Sequence, residues 1–288
     1  MRIRATVAAV SGALALSAVA VPAAQADEHK PSLASLVPST SKVTPFTTAA
    51  PADESEGDTK ITSVTVNGGK NIVVGTTAKK SFTVSVTATD PEGIADAFPV
   101  LWHGADVDHI DGAIEPTTID EDQVGTCTHS SATTATCKVT LIADPYTNIL
   151  GNFLAGTWKV WVGAVGNDGD YIIRDAYKTT KVQRNSKLTV NASPEPVKKG
   201  KTITVTGKLS RANWDTLKYA GYSGQSVKLQ YRKKGSDTYT TLKTIKSNST
   251  GNLSTTVTAS ADGYYRYSFA GTSTTPAVNA TGDFVDVQ

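Results

Sequence analysis

The sequence has few of the residues that usually carry catalysis or redox chemistry. Its 288 residues include two cysteines and four histidines, and aromatic residues make up 7%. It contains no H-E-x-x-H motif and no P-loop. The closest match to a nucleophile elbow, at residues 221–225, lacks its final glycine. We therefore expect a protein without enzymatic activity.

Long hydrophobic runs are missing everywhere except the N-terminus. There, Arg2 and Arg4 precede an apolar stretch that ends near Val21, and Ala24-Gln25-Ala26 forms a small-x-small cleavage pattern. This pattern predicts that residues 1–26 are a signal peptide and that the protein is secreted and extracellular. No later segment approaches the ~20 apolar residues of a membrane-spanning helix, so no membrane span is expected.

Export determines how the two cysteines are interpreted. Cys127 and Cys137 lie close together in the sequence, and an even cysteine count in an exported chain favours a disulfide across a hairpin or tight loop. Metal ligation competes poorly, because no second thiol pair and no suitably spaced histidine pair accompanies them.

Charge is distributed unevenly along the chain. Residues 60–185 carry a net charge of −4, whereas residues 186–288 carry fourteen basic and six acidic residues, a net charge of +8. A basic half attracts anionic cell-wall polymer or nucleic acid non-specifically. The simpler interpretation is that lysines on outward strand faces keep sheet edges soluble. No specific nucleic-acid partner is expected.

Three segments follow the predicted signal peptide. Residues 27–59 are rich in Pro, Ser, Thr and acids without a regular period, which is typical of a disordered spacer. Residues 60–185 and 186–288 each show short runs that alternate apolar and polar side chains, separated by turn residues. This pattern predicts an all-β chain of two tandem immunoglobulin-like β-sandwiches. Trp158, Trp161 and most of the strand tyrosines are then interpreted as core residues rather than sugar-stacking platforms.

Three segments of the second half also carry a family resemblance: 188–200 (LTVNASPEPVKKG), 227–232 (VKLQYR) and 264–271 (YYRYSFAG). They resemble a secreted actinobacterial family with two immunoglobulin-like domains behind an export signal, and the resemblance covers nearly all of the mature chain. Members of that family are uncharacterised or carry a loose calcium-binding label. The resemblance thus implies export and the tandem fold, and it supplies no site residues.

The most unusual feature of the sequence is an acidic run with seven carboxylates: Asp106, Asp108, Asp111, Glu115, Asp120, Glu121 and Asp122. Crowded carboxylates repel one another unless solvent, basic neighbours or a hard cation such as calcium relieves the repulsion. The spacing departs from an EF-hand, because Ile110 stands where an oxygen ligand belongs. We predict an irregular calcium site in this loop, formed by Asp106, Asp108, Asp111 and Glu115. A solvated acidic loop is the alternative.

A second candidate metal site follows from the predicted topology. In an immunoglobulin-like sandwich the B–C and F–G loops lie at one end, and here they are residues 90–93 (DPEG) and 167–170 (NDGD). Oxygen ligands from Asp90, Asp168 and Asp170 could therefore converge on one calcium ion. The alternative is that these residues are present because tight turns select Asp, Asn, Pro and Gly.

A different kind of ligand is suggested by a connection that contains three aromatic residues, Trp214, Tyr219 and Tyr222. Exposed rings stack on sugar faces, so these residues are candidates for binding cell-wall polymer or another polysaccharide. Burial against the end of the sandwich is the alternative for most of them. An adhesive or spacer protein without a small ligand is a third possibility.

Overall fold

The computed structural model describes residues 53–117 and 124–288. The predicted signal peptide, most of the predicted spacer, and Asp120, Glu121 and Asp122 of the acidic run lie outside the described residues. The described chain is built from β-strands, with 3-10 turns only at Asn67–Gly69 and Asn152–Leu154. The all-β prediction is confirmed. Within the described part of the chain, no helix has the length and apolar character needed to cross a bilayer.

The first half of the described chain folds as a sandwich of two sheets. In order across the first sheet are β1 (Ser55–Glu56), β10 (Tyr171–Arg184), β9 (Gly156–Gly166), β5 (Ile94–Gly104) and β6 (Ile110–Ile114), with β3 (Ile72–Val74) also paired to β10. The facing sheet contains β2 (Lys60–Val66), β4 (Lys80–Thr89), β8 (Thr134–Ala143) and β7 (Thr126–Ser131). All neighbours are antiparallel except β3 and β10, which run parallel.

The second half forms another pair of sheets. One contains β11 (Ser186–Leu188), β12 (Asn191–Ser193), β13 (Thr202–Asn213), β14 (Lys218–Gly221) and β17 (Asn252–Thr258), all paired to the long strand β13. The other contains β16 (Thr240–Lys246), β15 (Ser226–Lys233), β18 (Gly263–Phe269), β19 (Val278–Asn279) and β20 (Asp283–Val285). The tandem-sandwich prediction is therefore confirmed.

Each sandwich has its own apolar core. Trp158 and Trp161 of β9 are buried in the first core. Tyr265, Tyr267 and Phe269 of β18 are buried together in the second. The expected core role of these aromatic residues is confirmed. Tyr265, Tyr267 and Phe269 share one face of β18, whereas Trp158 and Trp161 are three residues apart and are buried on opposite faces of β9.

Two strands lie where the sequence analysis expects loops. β6 runs through the acidic run and pairs with β5. It does so because Ile110 and Ile114 are buried on one face of the strand, while Asp111 between them in sequence stays exposed. β14 lies in the aromatic connection and pairs with the end of β13. In both segments the period-two signal is short and is masked by neighbouring polar residues, so composition alone gives the wrong element.

The predicted disulfide is present. Cys127 and Cys137 are cross-strand partners on β7 and β8, and their sulfur atoms are bonded. The bond ties the edge strand β7 to the middle of its sheet. Both cysteines of the disulfide are strand residues, so the cross-strand bond of the hairpin rather than a metal accounts for them.

The two sandwiches interlock where β10 passes into β11. Trp214, which follows β13 of the second sandwich, is 2% exposed and belongs to the core of the first. Its backbone N–H donates to Asn152 Oδ1 at 2.9 Å. Arg184 Nε donates to the carbonyl oxygen of Ala212 at 2.6 Å. The buried Trp214 side chain and these two hydrogen bonds together make the junction a packed interface.

Candidate functional site

One end of the first sandwich brings together two acidic turns that are far apart in sequence. β5 begins at Ile94 and β9 ends at Gly166, and these two residues are register partners. The turns before Ile94 and after Gly166 are therefore neighbours, and the Asn167 N–H donates to the Gly93 carbonyl oxygen at 2.9 Å. The predicted proximity of the B–C and F–G loops is what this pairing produces.

Four carboxylates of these turns and one from the segment before β2 come together, and we call them the carboxylate cluster: Asp58, Asp90, Glu92, Asp168 and Asp170. Oxygen atoms of Asp90, Asp168 and Asp170 lie within 4.8 Å of one another, and so do oxygen atoms of Asp58, Asp90 and Glu92. Asp90 is common to both groups and is only 1% exposed. Sequence analysis identified three of the five; Asp58 and Glu92 were missed as ligand candidates.

Local hydrogen bonds hold the cluster in place. Asp90 accepts bonds from the Thr59 hydroxyl at 2.5 Å and from the Glu92 N–H at 2.9 Å. Asp168 Oδ1 accepts a bond from the Asp170 N–H at 3.0 Å. A β-carbon on Gly166 would lie 2.5 Å from Asp90 Oδ2 and 2.8 Å from Asp168 Oδ1, so a residue without a side chain is needed beneath the cluster.

The cluster is strongly negative. Desolvation, followed by the negative charges of Asp168, Asp58 and Asp90, raises the pKa of Glu92. Among the described residues, no lysine or arginine forms an ion pair with Asp90, Glu92 or Asp168. A buried carboxylate normally has a cationic partner or a metal, because the charged form loses its hydration on burial. The cluster offers the hard oxygen donors that calcium prefers.

The acidic run that was the preferred calcium site has a different geometry. Its described members Asp106, Asp108, Asp111 and Glu115 form no group of three with oxygen atoms within 4.8 Å. Instead, Asp106 Oδ1 lies 2.6 Å from His109 Nδ1, and this hydrogen bond lowers the pKa of Asp106.

Asp111 has a similar partner, since its Oδ1 lies 2.5 Å from His103 Nδ1. The two carboxylates thus each face a histidine rather than a common centre. Asp111 is on β6 and Asp106 is in the turn before it, so the strand holds the two side chains apart. Carboxylates that are crowded in the sequence of the acidic run therefore do not converge on one point in the described structure.

The three aromatic residues proposed for sugar stacking are largely occupied within the fold. Trp214 is buried, so its ring has no free face for a ligand. The Tyr219 ring carries the Lys187 ammonium 3.8 Å from its centroid. The Tyr222 ring lies under the Arg211 guanidinium at 3.8 Å and packs edge-on against Phe269. Burial and internal cation–π contacts explain these residues better than a sugar does.

Exposed aromatic residues occur in another place, which the sequence analysis missed. Residues 144–154, which we call the apolar loop, expose Tyr146, Leu150 and Phe153 by 56%, 62% and 61%. The loop is held firmly: Asp144 Oδ1 accepts the Tyr146 N–H at 2.9 Å, and Asn148 Nδ2 donates to the Ile142 carbonyl oxygen at 2.9 Å. No repeating pattern in the sequence marks this segment as exposed.

Comparisons with known proteins add little. No protein-family model and no curated protein matches the chain. Among solved structures, the D00-D0 domain of intimin is 15% identical, covers 77% of this chain and 98% of its own, and has a TM-score of 0.26. The Yersinia pseudotuberculosis adhesin InvE is 13% identical over 74% of this chain and 56% of its own, with a TM-score of 0.25. At such TM-scores neither likeness supports an inference about this chain.

Proposed function

We propose that this chain is an exported, non-enzymatic binding module whose first sandwich holds a calcium ion at the carboxylate cluster. The observation that carries the proposal is Asp90, a carboxylate that is 1% exposed, has oxygen atoms of Asp168 and Asp170 within 4.8 Å, and has no ion pair from a described lysine or arginine. Export is supported by the disulfide, since such bonds persist in oxidising compartments.

Calcium suits the cluster better than other common cations. It accepts six to eight oxygen ligands in flexible geometry, and carboxylates, backbone carbonyls and waters all qualify. Asp90, Asp168 and Asp170 supply carboxylates from two turns, and the carboxylates of Asp58 and Glu92 lie close to that of Asp90. Magnesium demands nearly octahedral geometry and loses its water reluctantly, so two separate turns serve it poorly.

Calorimetric titration of the full chain with calcium tests the proposal. We expect a single site of weak affinity, on the order of 10⁻⁴ to 10⁻³ M, as in other extracellular modules. Asp168→Asn keeps the hydrogen bond to the Asp170 N–H and removes a charge, so it should weaken calcium binding. Asp106→Asn removes one charge from the acidic run and is the matched control. Loss of binding in Asp106→Asn alone would move the site back to the acidic run.

The second candidate function is polysaccharide binding without a metal, and the apolar loop favours it. Tyr146 and Phe153 present rings that are more than half exposed on a segment fixed by hydrogen bonds. Rigid aromatic side chains lose little conformational freedom on binding, so their faces suit flat sugar rings. Trp214, Tyr219 and Tyr222 play no part in this version of the carbohydrate hypothesis.

Pull-down with insoluble cell wall, chitin and cellulose tests this candidate. The wild type should be retained on at least one polymer, and a Tyr146→Ala, Phe153→Ala double variant should be released. Leu242→Ala is the control, because Leu242 is 43% exposed on the second sandwich and has no aromatic ring. Equal retention of the wild type and the double variant contradicts a role for the apolar loop.

A further inference from the structure

A recess in the side of the first sandwich is lined by three lysines. Its volume is about 250 Å³, and it lies between the turn after β2 and the middle of β10. The lining combines Lys70, Lys178 and Lys181 with residues that carry hydroxyl and amide groups, among them Asn71, Thr157 and Thr180. No acidic residue is among the described residues that line it.

The recess exists because β10 has a gap along its outer edge. β1 pairs with its residues Tyr171 and Ile172, and β3 pairs with its end from Val182 to Arg184. Between them, from Lys178 to Lys181, β10 pairs with β9 alone. In an antiparallel pair about half of the peptide N–H groups point away from the partner strand, so N–H donors face this edge.

The lysines of the recess have no carboxylate partner within the described structure. Lys70, Lys178 and Lys181 take part in none of the ion pairs of the described residues. Lys178 Nζ donates to the Val64 carbonyl oxygen at 2.7 Å, which restrains its side chain. An ammonium carries three N–H donors, so two remain for a ligand.

This concentration of positive charge is not a reflection of the whole domain. Residues 60–185 carry a net charge of −4, and the basic excess of the chain lies in the second half. Three lysines line this one cavity, and a ligand with more than one negative charge would interact favourably with all of them. Threonine hydroxyls supply neutral donors beside them.

We propose that this recess binds a phosphate group. A phosphate offers several acceptor oxygens and up to two negative charges, and lysine binds phosphate as a point charge. The volume is below the 300 Å³ or more that is usual for drug-sized ligands, so one charged group fits rather than a large organic molecule. Free phosphate and a phosphodiester or polyphosphate chain present the same chemistry, and binding assays separate these sources.

Binding of inorganic phosphate and of sodium polyphosphate to the full chain tests the proposal, measured by calorimetry at low and at physiological ionic strength. A Lys70→Gln, Lys178→Gln, Lys181→Gln variant should lose about tenfold or more in affinity, because charge-assisted hydrogen bonds are the strong ones. Polyphosphate binding without phosphate binding assigns the site to a polymer, and phosphate binding assigns it to the free ion. Affinity should fall as salt rises, since the lysines are near the surface.

A second triple variant, Lys228→Gln, Lys243→Gln, Lys246→Gln, is the matched control. It removes the same charge from exposed strand positions of the second sandwich. The proposal requires that this control keep its affinity within about threefold while its melting temperature and that of the first variant stay close to the wild type. Equal losses of affinity in both variants, or no binding by the wild type, overturn the proposal. The lysines would then serve to prevent another strand from pairing with the open edge of β10.

Discussion

The Trp214 indole donates its Nε1 hydrogen to the carbonyl oxygen of Gly75 at 2.9 Å. Trp214 comes from the second sandwich and Gly75 follows β3 of the first. The ring is 2% exposed, so the second sandwich places a large apolar side chain in the core of the first and satisfies its one polar atom there. The link between the sandwiches is thus part of a core rather than a flexible tether.

Trp214→Ala should destabilise the protein by about 3 kcal/mol or more, because it leaves a large cavity in the first core. Chemical denaturation monitored by fluorescence and by circular dichroism measures the loss. We also expect the two sandwiches to unfold together in the wild type and in two separate transitions in the variant. Trp214→Phe should cost less, since it keeps most of the apolar volume. A loss of less than about 1 kcal/mol in the free energy of unfolding of Trp214→Ala, relative to the wild type, contradicts the interlock.

Removal of the disulfide should destabilise the first sandwich by about 2 to 3 kcal/mol, the value expected for a closed loop of about ten residues. A Cys127→Ser, Cys137→Ser variant, compared with the wild type with and without reductant, provides the measurement. The reductant should shift the wild type and leave the variant unchanged. Free thiols in the denatured, non-reduced wild type contradict the bond.

Asp175→Asn should change the pH dependence of stability. Burial, followed by the charges of Asp53 and Asp108, raises the pKa of Asp175 from 3.8 to about 6. Between these values the folded state binds this proton more readily than the unfolded chain, so Asp175 makes stability fall as pH rises from about 4 to 6. The asparagine variant removes that term.

The measurement is the free energy of unfolding of both proteins at pH 4, 5, 6 and 7. The variant should gain about 1 kcal/mol over the wild type at pH 7 after allowance for solvent screening, and nothing at pH 4. A constant difference across the range means that Asp175 does not titrate in it.

The sequence predicts the sheets better than the site. The alternation of Tyr265, Tyr267 and Phe269 predicts a core face, because every second residue of a strand points to the same side of the sheet. The acidic run is a poor guide to a site, because the number of carboxylates does not say where their side chains point. Burial of Ile110 places Asp111 on a strand. Asp90 and Asp168 meet through the pairing of β5 with β9, a long-range contact that no local pattern contains. The sequence places them together only by way of the predicted sandwich topology.

The clearest test of the calcium proposal is thermal melting of the wild type, Asp168→Asn and Asp106→Asn, each with calcium and with chelator. At free calcium tenfold above the dissociation constant, linkage adds about 1.4 kcal/mol of stability, which raises the melting temperature by a few degrees. We predict this shift in the wild type and in Asp106→Asn, and its loss in Asp168→Asn. Identical melting of the wild type in calcium and in chelator contradicts a calcium site at the carboxylate cluster.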